Sequence, residues 1–304
     1  MANLKDIKNR IQSVENTKKI TKAMKMVAAA KVKRAETTVK AARPFSEELL
    51  SLFKTLLEKV DIGVSDGKHP ERAIDDYTEL LVQREEKKAV GVLVITSNKG
   101  LAGAYNANLV RAVLKEVKEN EEKGLKTVLY VAGMKGISAF KNLPESARVA
   151  KSYVSVVETP SSGGADMISC DIAEDYVKGE IDEIKIITTR FNNMMSYSIS
   201  EMTLLPVNLE HVEAKELHPL MEFEPSASRV LQTLVPMYFS NTIYQALLEA
   251  SASELASRMT AMSAASNNAE EMITDLTINY NKARQAAITQ ELVEIVSGAN
   301  AAKG

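Results

Sequence analysis

The chain has 304 residues, 45% hydrophobic and 26% charged, with a formal net charge of −2. That length supports one large domain or two smaller ones with a proper core. A single cysteine, Cys170, excludes an internal disulfide and a cysteine-built metal site, and only His69, His211 and His218 are available for imidazole chemistry.

Charge is unevenly spread. Residues 1–43 hold 12 Lys or Arg against 3 Asp or Glu, a net +9, so the remainder carries −11. A basic N-terminal arm suits nucleic acid or an acidic protein surface. Aromatics are scarce and Trp is absent, while Met, Ala, Lys and Glu are plentiful, which leans towards helices.

Residues 3–57 read as one long helix with Asn3 as N-cap. Leu4, Ile7, Ile11 and Val14 are spaced 3, 4 and 3, a coiled-coil seam that continues loosely through Thr21, Met24 and Ala28. Such a helix spans roughly 80 Å, far more than an average globular helix. Pro44 predicts a kink or break. Residues 61–75, DIGVSDGKHPERAID, read as a loop.

Residues 89–206 change character. AVGVLVITS (89–97) is an unbroken apolar run rich in β-branched residues, the pattern of a strand buried on both faces. A helix (106–120), a strand (127–133), a short helix (134–143), a strand (147–154), a helix (165–179) and a strand (183–191) follow. SYSISEMTLLP (196–206) alternates like a final edge strand. Strands alternating with helices indicate a small α/β sheet. In MISCDIAEDY, Cys170 reads as a small buried residue.

Residues 207–224 carry polar spacers and Pro219, and from 225 or 226 to about 296 the chain is helical again, with Pro236 predicting a kink. Two heptad columns run without a slip: Leu248, Leu255, Met262, Ala269, Leu276, Ala283, and Ala252, Met259, Ser266, Ile273, Tyr280, Ala287. This second helix reaches roughly 105 Å, and the tail SGANAAKG reads as a stop. The simplest packing is an antiparallel coiled coil of the N- and C-terminal helices with an inserted Rossmann-like α/β domain. The expected boundaries are 1–60 (helix), 61–88 (linker), 89–206 (α/β domain), 207–225 (linker) and 226–304 (helix).

Few residues invite chemistry. SNKGLAGAYN (97–106) links a strand to a helix, but Gly100 and Gly103 give only GxxG, without the dinucleotide or P-loop fingerprint. A tight turn is the better reading. Paired carboxylates Asp75/Asp76, Glu85/Glu86 and Glu270/Glu271 read as solvated faces. The lysines of 18–34 lack the interleaved aromatics that stack on bases, which argues against nucleic acid. Within 251–290, 22 of 40 residues are Ala, Ser, Thr or Asn and seven are charged. Short neutral side chains permit close helix packing, and an outer face that meets a surface without strong directional bonds. No catalytic residue, cofactor or metal site is expected.

Both ends match a known family. IKNRIQSVENTKKITKAMKMVAAAK and SELASRMTAMSAASNNAEEMI…YNKARQAAITQELVEIVSGA resemble the signature helices of the gamma subunits of bacterial F-type ATP synthases, and TSNKGLAGAYN and RFNNMMS resemble that family's α/β insert. The resemblance implies a non-catalytic central rotor stalk that carries torque between a membrane c ring and an alpha3beta3 hexamer, with epsilon alongside. It implies that Met24, Lys25, Arg258, Gln285 and Thr289 meet the beta levers and the alpha/beta sleeve. It implies that Lys31, Lys33, Arg34, Leu205 and Asn208 belong to the foot facing the c ring and epsilon. The chloroplast-type regulatory insert with its cysteine pair is missing. The opening MANLKDIKNR shows neither a signal h-region nor transit character, so a peripheral protein on the cytoplasmic face of a bacterial membrane is expected. Two other readings stay open on the residues alone: a nucleotide-binding α/β enzyme with a coiled-coil arm, and a freestanding coiled-coil scaffold.

Overall fold

A computed structural model describes residues 4–59, 80, 84, 86–206, 224 and 227–301. The expected loop at 61–75, the three histidines, Pro219 and Asn208 lie outside them. The elements in chain order are α1 (Leu4–Lys59), β1 (Ala89–Ile95), α2 (Tyr105–Glu122), β2 (Lys126–Ala132), α3 (Met134–Ala139), β3 (Ala147–Tyr153), α4 (Ser155–Glu158), α5 (Ser162–Val177), β4 (Glu183–Asn193), β5 (Ser196–Leu205) and α6 (Ala227–Ala301). The long terminal helices pack against each other, and the chain divides into two compact units, Met1–Ala29 with Arg258–Gly304, and Ala30–Ser257.

In the larger unit the five strands are ordered β3-β2-β1-β4-β5. The first four are parallel, and β5 joins β4 as an antiparallel edge. β1 alternates strictly. Leu93 and Ile95 enter a core with Leu49, Phe53 and Leu56 of α1, Ile168 and Ile172 of α5, and Phe239 and Leu247 of α6. Val90, Val92 and Val94 enter a second core with Leu109 and Val113 of α2. Both faces of the strand are therefore covered, which is why its sequence is continuously apolar rather than alternating. Phe53 and Tyr238 stack at 4.8 Å between α1 and α6. At the end of β2, Gly133 has φ +100, and a Cβ there would lie 2.4 Å from the Thr96 carbonyl oxygen, so only glycine fits.

The smaller unit is a helix pair. On α1 the half-buried and buried positions include Leu4, Ile7, Ile11, Val14, Lys18, Thr21, Met24 and Ala28. On α6, Met262, Ser266 and Ala269 are buried, and Ile273, Leu276, Tyr280, Ala283 and Ala287 are half-buried among exposed neighbours. The partly covered side chains of α6 from 273 to 287 are the two heptad columns and nothing else, as knobs-into-holes packing requires.

Both long helices run through their prolines: α1 does not break at Pro44, and Pro236 lies inside α6. Two other expectations, on Cys170 and on the tail, are corrected. A helical proline removes one backbone bond and crowds the preceding turn, but the turn around Pro44 is fastened from outside. Arg43 bonds Glu249, and Asn241 Nδ2 donates to Ser46 Oγ at 2.9 Å. Pro236 is flanked by the buried Val235 and Phe239. These two ties, Arg43 to Glu249 and Ser46 to Asn241, run in opposite directions along the two helices, so the helices are antiparallel. Cys170 is exposed, not buried. The buried face of α5 is Ala165, Ile168, Ser169, Ile172, Ala173 and Tyr176, and a 100° turn per residue carries position 170 off that face. Finally, SGANAAKG does not stop α6 before Ala301; an exposed Gly298 costs only about 1 kcal/mol relative to Ala in a helix.

Candidate protein-interaction surface

The strand–turn–helix segment 97–106 is a tight turn. Leu101 and Gly103 take left-handed φ values of 64 and 54, and Asn106 Oδ1 accepts from the Ser97 N–H at 3.0 Å. In a doubly wound sheet a nucleotide would lie beyond the strand ends where the order reverses, here between β1 and β4. The chain's own C-terminal helix packs on that end. Ser257 Oγ donates to the Ala102 carbonyl at 2.7 Å and the Tyr105 hydroxyl to the Ala250 carbonyl at 3.2 Å. Ala102, Tyr105, Ala250, Ala252, Ser253 and Ala256 are all buried. The crevice is filled by protein, which removes the site that a nucleotide-binding enzyme would need.

The helix pair presents surface instead. Lys19, Lys22 and Lys25 are exposed on α1. Lys18 is turned inward enough to pair with Glu270 at 2.9 Å, and that bond holds the Glu270 carboxyl below its ordinary range. Among these cations stand exposed apolar side chains, Ile20, Met26 and Val27. On α6 every described side chain beyond Ala287 is exposed, including Ile288, Leu292, Val293, Ile295 and Val296. A run of exposed aliphatics on a helix end marks an interaction surface. The signal was present in the sequence as apolar residues that fall outside the heptad columns.

The expected lever and sleeve residues fall into two groups. Met24 and Arg258 are half-buried, Met24 in the seam of α1, while Lys25 is exposed. Gln285 and Thr289 are both exposed and one turn apart, with Thr289 Oγ1 bonded to the Gln285 carbonyl at 2.9 Å.

The expected foot residues are not brought together. Lys31, Lys33 and Arg34 are exposed next to Val32, whose core contains Phe191 near the end of β4. Leu205 pairs with Ile184 at the start of β4 and is only 1% exposed. Seven residues of strand, roughly 23 Å, separate the two levels. The Leu205 side chain is core, so any outward contact near it belongs to neighbours such as Glu201 and Met202, both exposed.

Sequence reasoning missed one charged junction. Arg43 Nε donates to Glu249 Oε1 at 2.9 Å and Nη2 to Oε2 at 3.1 Å, and the same Nη2 reaches the Phe191 carbonyl at 2.9 Å. The Phe191 N–H donates to Glu249 Oε2 at 2.7 Å. Arg43 and Glu249 are 206 positions apart, so no local pattern announces the pair.

Comparison with known proteins agrees with this architecture. A family model described as ATP synthase matches residues 3–302. The ATP synthase gamma chain of Picosynechococcus sp. is 42% identical over 327 residues, covering 99% of this chain and 100% of that one. The central stalk/c-ring structure of Tetrahymena thermophila mitochondrial ATP synthase contains a chain of 27% identity that superposes with a TM-score of 0.58, over 81% of this chain and 99% of its own. A chain in the OSCP/F1/c-ring structure of Euglena gracilis mitochondrial ATP synthase shares the fold at a TM-score of 0.64, covering 98% of this chain and 94% of its own, with 17% identity. With a family model spanning nearly its whole length and a full-length relative above 40% identity, the chain belongs to the ATP synthase gamma-chain family.

Proposed function

We propose that this chain works by rotation, as the stalk that couples ion flow through a membrane c ring to ATP synthesis or hydrolysis in an alpha3beta3 hexamer. Its family makes it a non-catalytic subunit of the ATP synthase rotor. The observation that carries the mechanism is the composition of α6 over residues 251–290: a heptad seam inside, and an outer face dominated by short neutral side chains with few charges. Salt bridges to a partner along this stretch would hold a turning shaft at one angle. Small neutral groups give close contact with little directional preference, so the shaft passes from one angle to the next.

In this reading Met24, Lys25 and Arg258 meet the beta levers, and Gln285 and Thr289 meet the upper sleeve together with the exposed aliphatics from Ile288 to Val296. Lys31, Lys33 and Arg34 stand exposed on α1 apart from Leu205, and in this reading they join the basic face directed at acidic beta loops. The foot towards the c ring and epsilon is then left to the β5 end near Leu205 and to Asn208. No described helix is long and apolar enough to cross a membrane. The chain is placed, on this account, at the cytoplasmic face of a bacterial membrane, held there by its partners.

Co-expression with candidate alpha and beta chains tests the reading. One copy of this chain per hexamer of two larger chains is expected. A stable self-oligomer that ignores both partners would contradict it and favour the scaffold.

A further inference from the structure

We infer that Arg43 and Glu249 are positioning residues for torque transfer, locking the free end of β4 to both long helices so that the sheet cannot slip around them. The inference rests on the stalk reading above.

β4 outruns its neighbour. Its last residue paired with β1 is Ile187, against Val94, yet β4 continues to Asn193. Beyond Ile187 the edge that faced β1 has no strand to bond. At Phe191 both backbone groups are taken up by side chains: Glu249 Oε2 accepts the N–H and Arg43 Nη2 donates to the carbonyl. The ion pair thus completes the ladder as a substitute strand, one group from each long helix. Gln245 Nε2 adds a fourth bond to the carboxylate, at 3.1 Å on Oε1. Below the pair the Phe191 ring is buried among Val32, Val39, Leu248, Ala252 and Ala256.

The neighbouring contacts between β4 and the helices are mostly alanines and aliphatics, whose attraction is non-directional. The bidentate guanidinium–carboxylate fork is directional and mostly buried. Ser257 and Ala250 tie α6 alone to the turn after β1, whereas the fork joins β4 to both long helices at once, and torque between sheet and helices passes through it. Its polarity is set by Phe191: an acceptor must face the N–H and a donor must face the carbonyl.

The test uses the assembled ATP synthase. Cys170 is the chain's single cysteine and is exposed on α5, so a probe attached there reports the angle of the sheet domain in a complex whose other chains lack cysteine. Two readouts are taken: the angular variance of a stalled rotor, and ion uptake per ATP hydrolysed in vesicles. Arg43→Lys keeps the charge but loses the fork. The swap Arg43→Glu with Glu249→Arg restores opposite charges but turns a donor to the Phe191 N–H and an acceptor to its carbonyl. Both variants are expected to widen the variance and lower uptake per ATP by at least about twofold, the low end of what breaking a coupling network changes. A charge swap that restores wild-type values would show the pair to be simple electrostatic glue and overturn the inference. Where the swap fails to assemble, wild-type variance in Arg43→Lys overturns it equally. A wild-type chain that never turns would instead bring down the stalk reading, and this inference with it.

Discussion

The hydroxyl of Tyr105 lies 3.2 Å from the backbone carbonyl of Ala250, joining the turn after the first strand to the C-terminal helix across 145 residues. Burial pushes the Tyr105 phenol well above its ordinary pKa, so it stays a donor at neutral pH. With the Ser257 hydroxyl on the Ala102 carbonyl, this contact places α6 where an α/β enzyme would hold its ligand.

Tyr105→Phe removes the donor and little volume. We expect a loss of about 1 kcal/mol, seen as a fall in Tm of roughly 2–4 °C. We also expect no micromolar binding of ATP or a dinucleotide by the wild-type chain or the variant, measured by calorimetry. Tight binding would revive the enzyme reading.

Met24→Lys introduces a cation into the half-buried seam of α1, and a long lysine side chain there reaches outward past the seam. Paired with an acidic partner loop, it adds a directional bond that impedes release as the shaft turns. We expect assembly and ATP hydrolysis to persist while ion pumping per ATP falls roughly tenfold, equivalent to ~1–2 kcal/mol of coupling. Vesicle pumping assays check this, and normal pumping would remove Met24 from the contact.

Asp182 fastens the start of the sheet. Its Oδ2 accepts from the N–H groups of Lys88 and Ala89 at 2.7 and 3.0 Å, and Oδ1 accepts from Arg84 Nη1 at 2.8 Å. Burial works to raise its pKa, but the Lys88 N–H, Arg84 and the Ala89 N–H outweigh it and hold the carboxyl below its ordinary value. A carboxyl depressed in the folded state contributes fully above its unfolded pKa of about 3.9, and that contribution fades as pH falls through the lower folded value. Asp182→Asn should therefore cost about 1.5–3 kcal/mol near neutrality. The gap to wild type should narrow below about pH 4. Urea midpoints across that range decide it, and a gap that stays constant into acid would contradict the assignment.

Gly133→Ala probes the backbone. The new Cβ would meet the Thr96 carbonyl oxygen at 2.4 Å in a left-handed conformation. A loss of at least ~1–3 kcal/mol is expected, measured as a drop in Tm. Gly163, with nothing near a Cβ, serves as the mild control.

Much of this architecture is written into local patterns. β1 declares itself because a strand covered on both faces is apolar throughout, with Val, Leu or Ile at five of its seven positions. The helix pair declares itself because partial burial at Ile273, Leu276, Tyr280, Ala283 and Ala287 repeats with the heptad. What local pattern conceals is whatever distant residues decide. Pro44 is an interruption to any rule that sees only α1, yet Glu249 and Asn241 hold its turn together. Cys170 and Ser169 are similar in size, and only the docked face of α5 tells which one is covered. Nor does local pattern tell that Val32, next to Lys31, packs near Phe191 towards the end of β4 while Leu205 pairs with Ile184 at its start. The Arg43–Glu249 fork has no signature short of the folded chain.

Rotation is tested most directly by watching it. With a probe on Cys170 and the hexamer fixed to a surface, adding ATP should turn the probe in one direction, in steps that follow hydrolysis. A complex that hydrolyses ATP at its normal rate while the probe stays at one angle would contradict the stalk account at its centre.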